Sequence, residues 1–540
     1  MVNLARRWCR EGCNGTPKRP AHDLSELRLR EGDWGKISHR PPHLVPSALC
    51  VLCANDVASG TRDAFLGKPL MPQPAYERLS ALDAAFLSIE GENTPMHVGA
   101  VAIFDAVPLR RPEGGIDIER ISTFVESMLV PRYRQRIARI PVTNHPVWVD
   151  DPRFNLHYHL RHTALPAPGD ERMLKRLVGH VMSLPLDRNK PLWELWVVEG
   201  VAGDRFAIIT KTHHCMIDGV GSAEFLASSM ATRPDSTPPK PRRWRPRPPP
   251  GPLDLVLGEL RRNLGGGLAA LQVAQRGIAH PRDSARSIRD ALAGIGDALA
   301  ASFHRASPTP LNVEIGPHRR FDWLRLDLRD VKEVKNGLGG TVNDVVLATV
   351  SGALRRFLRG RGEDVARLDF RAMIPVNIRT RDRSGAFGNH VSMMTARLPL
   401  DERDPRKRFE RVTETTRDLK ASKQARGVEI LEEISELGLT TLFAQFARLT
   451  AVSRPFNVVV TNVPGPQLQA YLLGAPLLEA YPLVPLYRSQ ALGVALFSYN
   501  GGLFWGLNAD WDAVPDLHDL VEALALEFEA LRKAAAARPQ

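Results

Sequence analysis

Between residues 234 and 252 the chain reads Pro-Asp-Ser-Thr-Pro-Pro-Lys-Pro-Arg-Arg-Trp-Arg-Pro-Arg-Pro-Pro-Pro-Gly-Pro. No helix propagates through such a run, because each proline removes a backbone N–H and crowds the preceding turn. The stretch favours an extended, solvated chain instead. A polypeptide interrupted in this way folds as two bodies joined by a connector. Its length agrees, since 540 residues exceed what one hydrophobic core organises. The expected layout is an N-terminal domain over 72–232, the linker and helices over 233–310, a C-terminal domain over 311–532 and a tail over 533–540.

The first 70 residues mix Pro, Gly, Arg and His without sustained periodicity, and Met71 opens a more regular pattern. We read 1–70 as a disordered extension, or Met71 as the natural start. Cys9, Cys13, Cys50 and Cys53 form a C-x3-C…C-x2-C pattern that could ligate zinc. The two pairs are far apart and little between them looks foldable, so no metal is expected. The net charge of +12, carried mostly by arginine, suits polyanions such as anionic lipid headgroups or coenzyme A. A GC-rich genome inflates arginine in the same way, so charge alone does not choose a partner. No stretch reaches the roughly 18 consecutive apolar residues of a membrane span. The expectation is a cytoplasmic protein whose membrane contact is peripheral.

Before the linker, helix and strand patterns alternate. Leu82, Ala85, Phe86 and Ile89 share one helical face, and Met96–Phe104 is a short, apolar, β-branched run of the buried-strand kind. After the linker, Leu253, Val256, Leu257, Leu260, Leu264, Leu268 and Leu271 form one helical stripe. Ile288, Leu292, Ile295, Leu299 and Phe303 form another. Apolar stripes usually face a core, so we expect a packed helical connector, with a lipid-surface or gating pair as the alternative. In the C-terminal half, strands are expected at Leu368–Val376, His390–Leu398, Asn457–Thr461, Ala491–Tyr499 and Leu503–Ala509, with a helix over Asn343–Leu358. The fold class is α/β (α+β).

The strongest chemical signal is His213-His214-Cys215-Met216-Ile217-Asp218-Gly219, delivered by the strand Phe206–Ile209. A strand alternates faces, so only one histidine of the pair can enter a cleft. The other can hold the backbone. A neutral imidazole can take a proton from a hydroxyl, as acyl transfer to an alcohol requires. Asp218 is placed to anchor the loop through an arginine. A metal site would need further ligands, and nothing nearby resembles His-Glu-x-x-His. A serine hydrolase would need a Gly-x-Ser-x-Gly elbow, which is not evident.

The histidine motif resembles that of the CoA-dependent acyltransferase superfamily, which includes chloramphenicol acetyltransferase and peptide-synthetase condensation domains. Further segments make the chain similar to the bacterial wax ester synthase/diacylglycerol acyltransferases. In the first half these are Leu79–Leu87, Pro95-Met96-His97-Val98-Gly99 and Pro191-Leu192-Trp193. In the second they are Asn343–Ala348, Ile374–Arg379, Gly388–Ser392 and Asn457–Pro466. The resemblance covers roughly 72–532.

It implies two domains of chloramphenicol-acetyltransferase topology with an active-site channel between them. It also implies that His214 is the base, that no covalent enzyme intermediate forms, and that Asp218 is structural, next to Gly219. We expect Arg379 as the partner of Asp218, with Arg371 as the runner-up. Pro191, Leu192 and Trp193 shape an acyl channel or simply pack. Asn343 and Asp344 cap a helix or serve the site. Thr461 and Asn462 offer polar groups near the oxyanion, whose donor the sequence does not choose. The substrates implied are acyl-CoA, as co-substrate with no resident cofactor, and diacylglycerol or a fatty alcohol, at the inner face of the plasma membrane or a lipid droplet. Nucleic acid is not expected, because the arginines are scattered rather than set beside aromatic platforms. The competing readings are a polyketide- or peptide-associated condensing enzyme and a non-enzymatic lipid-binding protein.

Overall fold

The computed structural model describes residues 76–216, 230–237, 239–241, 243–262, 305–377, 391–421 and 455–537. Cys9, Cys13, Cys50, Cys53, Asp218, Gly219, Arg379 and the second apolar stripe (288–303) lie outside the described residues.

Among the described residues, two six-stranded sheets carry the fold. The strands of the first half are β1 (Tyr76–Arg78), β2 (His97–Asp105), β3 (Gln135–Arg139), β4 (Pro146–Asp150), β5 (Leu160–Ala164), β6 (Trp193–Val201) and β7 (Arg205–His213). Those of the second half are β8 (Arg319–Asp327), β9 (Arg371–Asn377), β10 (Val391–Arg397), β11 (Val458–Pro464), β12 (Tyr471–Leu472), β13 (Ala475–Leu483), β14 (Leu492–Tyr499) and β15 (Gly502–Asp510). The longer helices are α1 (Ala81–Ile89), α2 (Ile118–Met128), α3 (Glu171–Ser183), α4 (Leu328–Leu338), α5 (Val342–Gly360), α6 (Pro405–Ala421) and α7 (Leu517–Ala536).

The first sheet runs β12-β13-β2-β7-β6-β5 and the second β10-β9-β11-β14-β15-β8, with a small sheet β1-β4-β3 beside them. The class is mixed α/β with two sheet-rich domains, and the strands expected from apolar runs all form, though β9 starts three residues late and β7 and β11 run three or four residues beyond their expected ends. Of the strands that were not foreseen, two bear most on the layout. β8 reads Arg-Arg-Phe-Asp-Trp-Leu-Arg-Leu-Asp, too charged to stand out, yet pairs along its full length with β15. β13, inside the expected C-terminal domain, crosses over and pairs antiparallel with β2 of the first sheet. Gly506 permits the crossing, because a Cβ there would stand 1.9 Å from the Pro482 carbonyl oxygen. Residues 74–540 accordingly behave as one compact unit.

The helix α5 begins as its sequence dictates. Thr341 accepts from the Asp344 N–H, and the Asp344 carboxylate accepts from the Thr341 N–H and hydroxyl, closing a capping box. Asp344 also accepts from the Thr416 hydroxyl at 2.6 Å, tying α5 to α6.

The proline-rich linker departs from a freely solvated strand. The Arg247 guanidinium and N–H donate to Asp150, which is 2% exposed on β4. Trp244 takes the Arg134 guanidinium over its ring. Polyproline-like backbone has no internal hydrogen bonds to lose, so side-chain anchors suffice to lay it along the domain. The helical stretch 252–262 differs from expectation too. It docks through Leu255 and Glu259, whose carboxylate pairs with Arg78, while Leu253, Leu257 and Leu260 of the apolar stripe stay exposed. The described part of the stripe therefore faces outward rather than into the core, while Leu264, Leu268 and Leu271 lie outside the described residues.

Removing the Arg247 side chain takes the charged partner from the buried Asp150 carboxylate and leaves it the residue 247 backbone N–H and the Gln135 amide. Arg247→Ala is expected to lower stability by about 1.5–3 kcal/mol, read as a shifted denaturant midpoint with unchanged slope.

Candidate active site

The site is built on the end of β7. His97 pairs with His213 across β2 and β7, so the two strands finish together. Gly99, two residues in, is needed because a Cβ there would lie 2.0 Å from the Thr210 carbonyl oxygen. Beyond β7 the chain turns, and neighbours pin it on both sides. The His213 N–H donates to the Leu192 carbonyl at 2.9 Å, the His214 N–H to the Met96 carbonyl at 2.8 Å, and the Met216 N–H back to His213 at 2.9 Å.

The two histidines point to opposite sides. His213 is buried, and its Nδ1 accepts from the Cys215 N–H at 3.1 Å. That leaves the proton on Nε2, which lies 3.5 Å from Glu90 Oε1. Glu90 also accepts from the Met96 N–H at 3.1 Å and pairs with Arg188. Burial works against the Glu90 charge, but His213 and Arg188 outweigh it and hold the carboxyl at about 2. His97 lies 3.8 Å from the same carboxylate, and its burial drives the ring's pKa well down.

His214 lines a cavity of about 470 Å³ and stacks on Phe86 of α1, ring centroids 3.9 Å apart. Burial lowers its pKa to about 4, so the ring is neutral near pH 7. The cavity walls are mainly apolar, and Trp193, Thr461 and Asn462 share them with His214. Trp193 donates from its indole to the Tyr133 carbonyl at 2.8 Å and stacks on His159 at 4.7 Å.

The sequence-derived candidates thus separate. His214, Trp193 and Asn462 meet at one cavity. His213, Pro191 and Leu192 stand behind it. The Pro191 carbonyl accepts from Trp193, and the Leu192 carbonyl holds His213. Asn343 and Asp344 are not on the cavity wall; Asp344 serves the start of α5. The Arg371 guanidinium is engaged by Asp369 at 2.9 Å. Glu90 and Arg188 were missed. Glu90 lies just outside the Pro-Met-His-Val-Gly segment, and its only signal was a carboxylate seven residues before the histidine that opens β2.

Two sheet-rich halves, a strand-borne histidine pair and an apolar cavity beside it fit the class expected from the histidine motif, a CoA-dependent acyltransferase. Comparison with known proteins narrows the class. Residues 79–346 match the wax ester synthase/diacylglycerol acyltransferase catalytic domain, and 387–532 match the WS/DGAT C-terminal domain. A putative diacylglycerol O-acyltransferase of Mycobacterium tuberculosis CDC 1551 is 33% identical over 515 residues, covering 91% of this chain and 96% of that protein. A probable diacylglycerol O-acyltransferase of M. tuberculosis H37Rv is 31% identical over 83% of this chain and 94% of its own length. The wax ester synthase/diacylglycerol acyltransferase of Marinobacter aquaeolei VT8 superposes with a TM-score of 0.60 at 26% identity, over 85% of this chain and all of that one. The starter condensation domain of rhizomide synthetase shares the fold, with a TM-score of 0.53 at 12% identity over 86% and 96% of the two chains. The chain belongs to the wax ester synthase/diacylglycerol acyltransferase family. It is an acyl-CoA-dependent acyltransferase.

Glu90→Ala removes a charged acceptor from a buried network and is expected to cost about 1.5–3 kcal/mol at pH 7. The Glu90 carboxyl is depressed in the folded state, so its contribution is present above the ordinary value of 4.5 and is lost as pH falls toward 2. The stability gap between wild type and Glu90→Ala should therefore narrow on acidification, as followed by denaturant unfolding at pH 7, 5 and 4.

Proposed function

We propose that this enzyme forms triacylglycerol from diacylglycerol and acyl-CoA, with His214 as general base. The observation that carries the mechanism is a neutral imidazole set in the wall of a mainly apolar cavity large enough for a lipid chain. His214 takes the proton of the acceptor hydroxyl as its oxygen attacks the thioester carbonyl. The tetrahedral intermediate collapses, the C–S bond breaks, and the departing thiolate takes the proton from His214. No acyl-enzyme forms, and no cofactor is needed beyond acyl-CoA as co-substrate. Water kept out of the cavity cannot compete with the alcohol for the acyl group. His213 is a positioning residue that holds the turn through Glu90 and the Leu192 carbonyl. Asn462 and Thr461, on the same cavity wall as His214, are our candidates to face the oxyanion.

Diacylglycerol is favoured as acceptor because relatives similar over nearly their whole length bear that activity in their names. A fatty alcohol, giving wax ester, is the second reading, supported by the Marinobacter enzyme's name. The membrane contact we propose is peripheral. Among the described residues no helix is long and apolar enough to cross a bilayer, and the exposed Leu253, Leu257 and Leu260 offer an apolar edge to a lipid surface.

Purified protein given labelled palmitoyl-CoA with dioleoylglycerol or hexadecanol should form neutral lipid, and the better acceptor names the product. His214→Ala should reduce kcat by about 10²–10⁴-fold; full activity in that variant would remove the mechanism. Because burial holds the His214 pKa near 4, the base form persists as pH falls. The kcat/KM profile should stay level from pH 8 to below pH 6, where an imidazole titrating at 6.5 would already have lost most of its base form. An acid limb centred near 6.5 would show that His214 titrates normally.

A further inference from the structure

The cavity beside His214 extends along the first sheet in a regular way. On one face of β2 and β7, cross-strand pairs succeed one another as Val98–Thr212, Ala100–Thr210, Ala102–Ile208 and Phe104–Phe206. The first three pairs and Phe104 line the cavity. β13 continues the rows with Pro482 beside Ala100 and Ala480 beside Ala102, also on the wall. Helix α2 closes the opposite side with Ile121, Phe124, Val125 and Met128. Small side chains thus floor a gutter for two rows, and a large one then ends it. Phe104 is fully buried and stacks on Phe206 with ring centroids 5.2 Å apart, so the end wall is packed from behind.

The geometry points to a chain-length ruler: the row of Ala100, Ala102 and Phe104 measures one linear alkyl chain of the substrate, with Phe104 as its stop. The inference rests on the acyltransfer reading above and adds the size of the group transferred or accepted. The scale comes from the strand. The His214 N–H bonds the Met96 carbonyl, so His214 sits level with Met96, eight residues before Phe104. Eight residues of strand span about 27 Å. Van der Waals contact takes about 3.5 Å at each end, which leaves about 20 Å. Carbon–carbon bonds of about 1.5 Å, advancing as a zigzag by about 1.25 Å each, fill that length with roughly sixteen carbons. Nothing along the rows satisfies a polar substituent except the Thr210 and Thr212 hydroxyls at the His214 end, and the Thr210 hydroxyl already accepts from the Ala100 N–H. A saturated or monounsaturated tail fits, and a polar one does not.

Moving the stop one row toward His214 shortens the gutter by two residues, about 7 Å, or roughly five carbons. Ala102→Phe does this, and Phe104→Ala removes the stop. The test measures kcat/KM of the full chain for acyl-CoA donors from eight to twenty carbons with dioleoylglycerol as acceptor. A second series takes alcohols of the same lengths with palmitoyl-CoA as donor. Wild type should prefer about sixteen carbons in one series. In that series Ala102→Phe should raise the ten-carbon to sixteen-carbon ratio at least tenfold, and Phe104→Ala should raise the twenty-carbon to sixteen-carbon ratio. A shift in the donor series assigns the gutter to the acyl group, and a shift in the alcohol series assigns it to the acceptor. Thermal melts check that each variant folds, and Ala102→Leu, a smaller insertion, carries the test if the phenylalanine variant does not. Unchanged length profiles in both series, in folded variants, overturn the ruler and leave the acyltransferase reading standing. No transfer by wild type at any length overturns the acyltransferase reading itself.

Discussion

The arrangement at the end of β7 depends on two backbone hydrogen bonds, from His213 to the Leu192 carbonyl and from His214 to the Met96 carbonyl. Each joins the histidine turn to a different neighbouring strand at the point where that strand begins. The turn cannot slide without breaking register with β2 and β6 together, and a one-residue slip would exchange the faces of His213 and His214. Glu90 completes the hold from behind, gathering His213, Arg188 and the Met96 N–H on one carboxylate. A side chain whose support is this redundant loses little entropy when it meets substrate.

His214 illustrates a compromise set by burial. Low polarity keeps the ring neutral, hence always ready to accept a proton, but it also makes the ring a weaker base than a solvated imidazole. In the proposed mechanism the imidazolium is formed only as the thioester oxygen becomes negative nearby, and at low polarity opposite charges attract strongly. The same walls that depress the resting basicity thus strengthen the charge pair when it appears. The Phe86 ring, stacked at 3.9 Å, fixes the plane of the imidazole while contributing no competing hydrogen bond.

Much of this was legible in the sequence because it is local. Alternation of faces separated His213 from His214, apolar runs gave β2, β7, β9, β11, β14 and β15, and the segments around Met96, Leu192 and Asn462 proved to surround the turn or its cavity. What the sequence hid is non-local. Glu90 acts on residues over a hundred positions away, and no periodicity marks such a pairing. β8 was masked by its charged residues, which an edge strand tolerates. The stripe of Leu253, Leu257 and Leu260 looked like a core face, yet the docked side of 252–262 carries Leu255 and Glu259, because an ion pair with Arg78 competes there with apolar burial. The linker's anchoring to Asp150 likewise needed the tertiary structure, since nothing in a proline-arginine run states where its cations will land.

The strand β13 carries a consequence for the order in which the molecule can be made. The edge of β2 that it covers emerges from the ribosome about 370 residues earlier, from Asp105 to Ala475. At ordinary synthesis rates of about 5–20 residues per second, that edge waits some 20–70 s for its partner. During the interval a strand rich in Val, Ala, Ile and Phe presents open backbone groups, a template for pairing with other chains. The N-terminal half is therefore a nascent state in need of shielding rather than an independent folding unit. Chains released before residue 483 would be expected to aggregate rather than to persist as a soluble fragment.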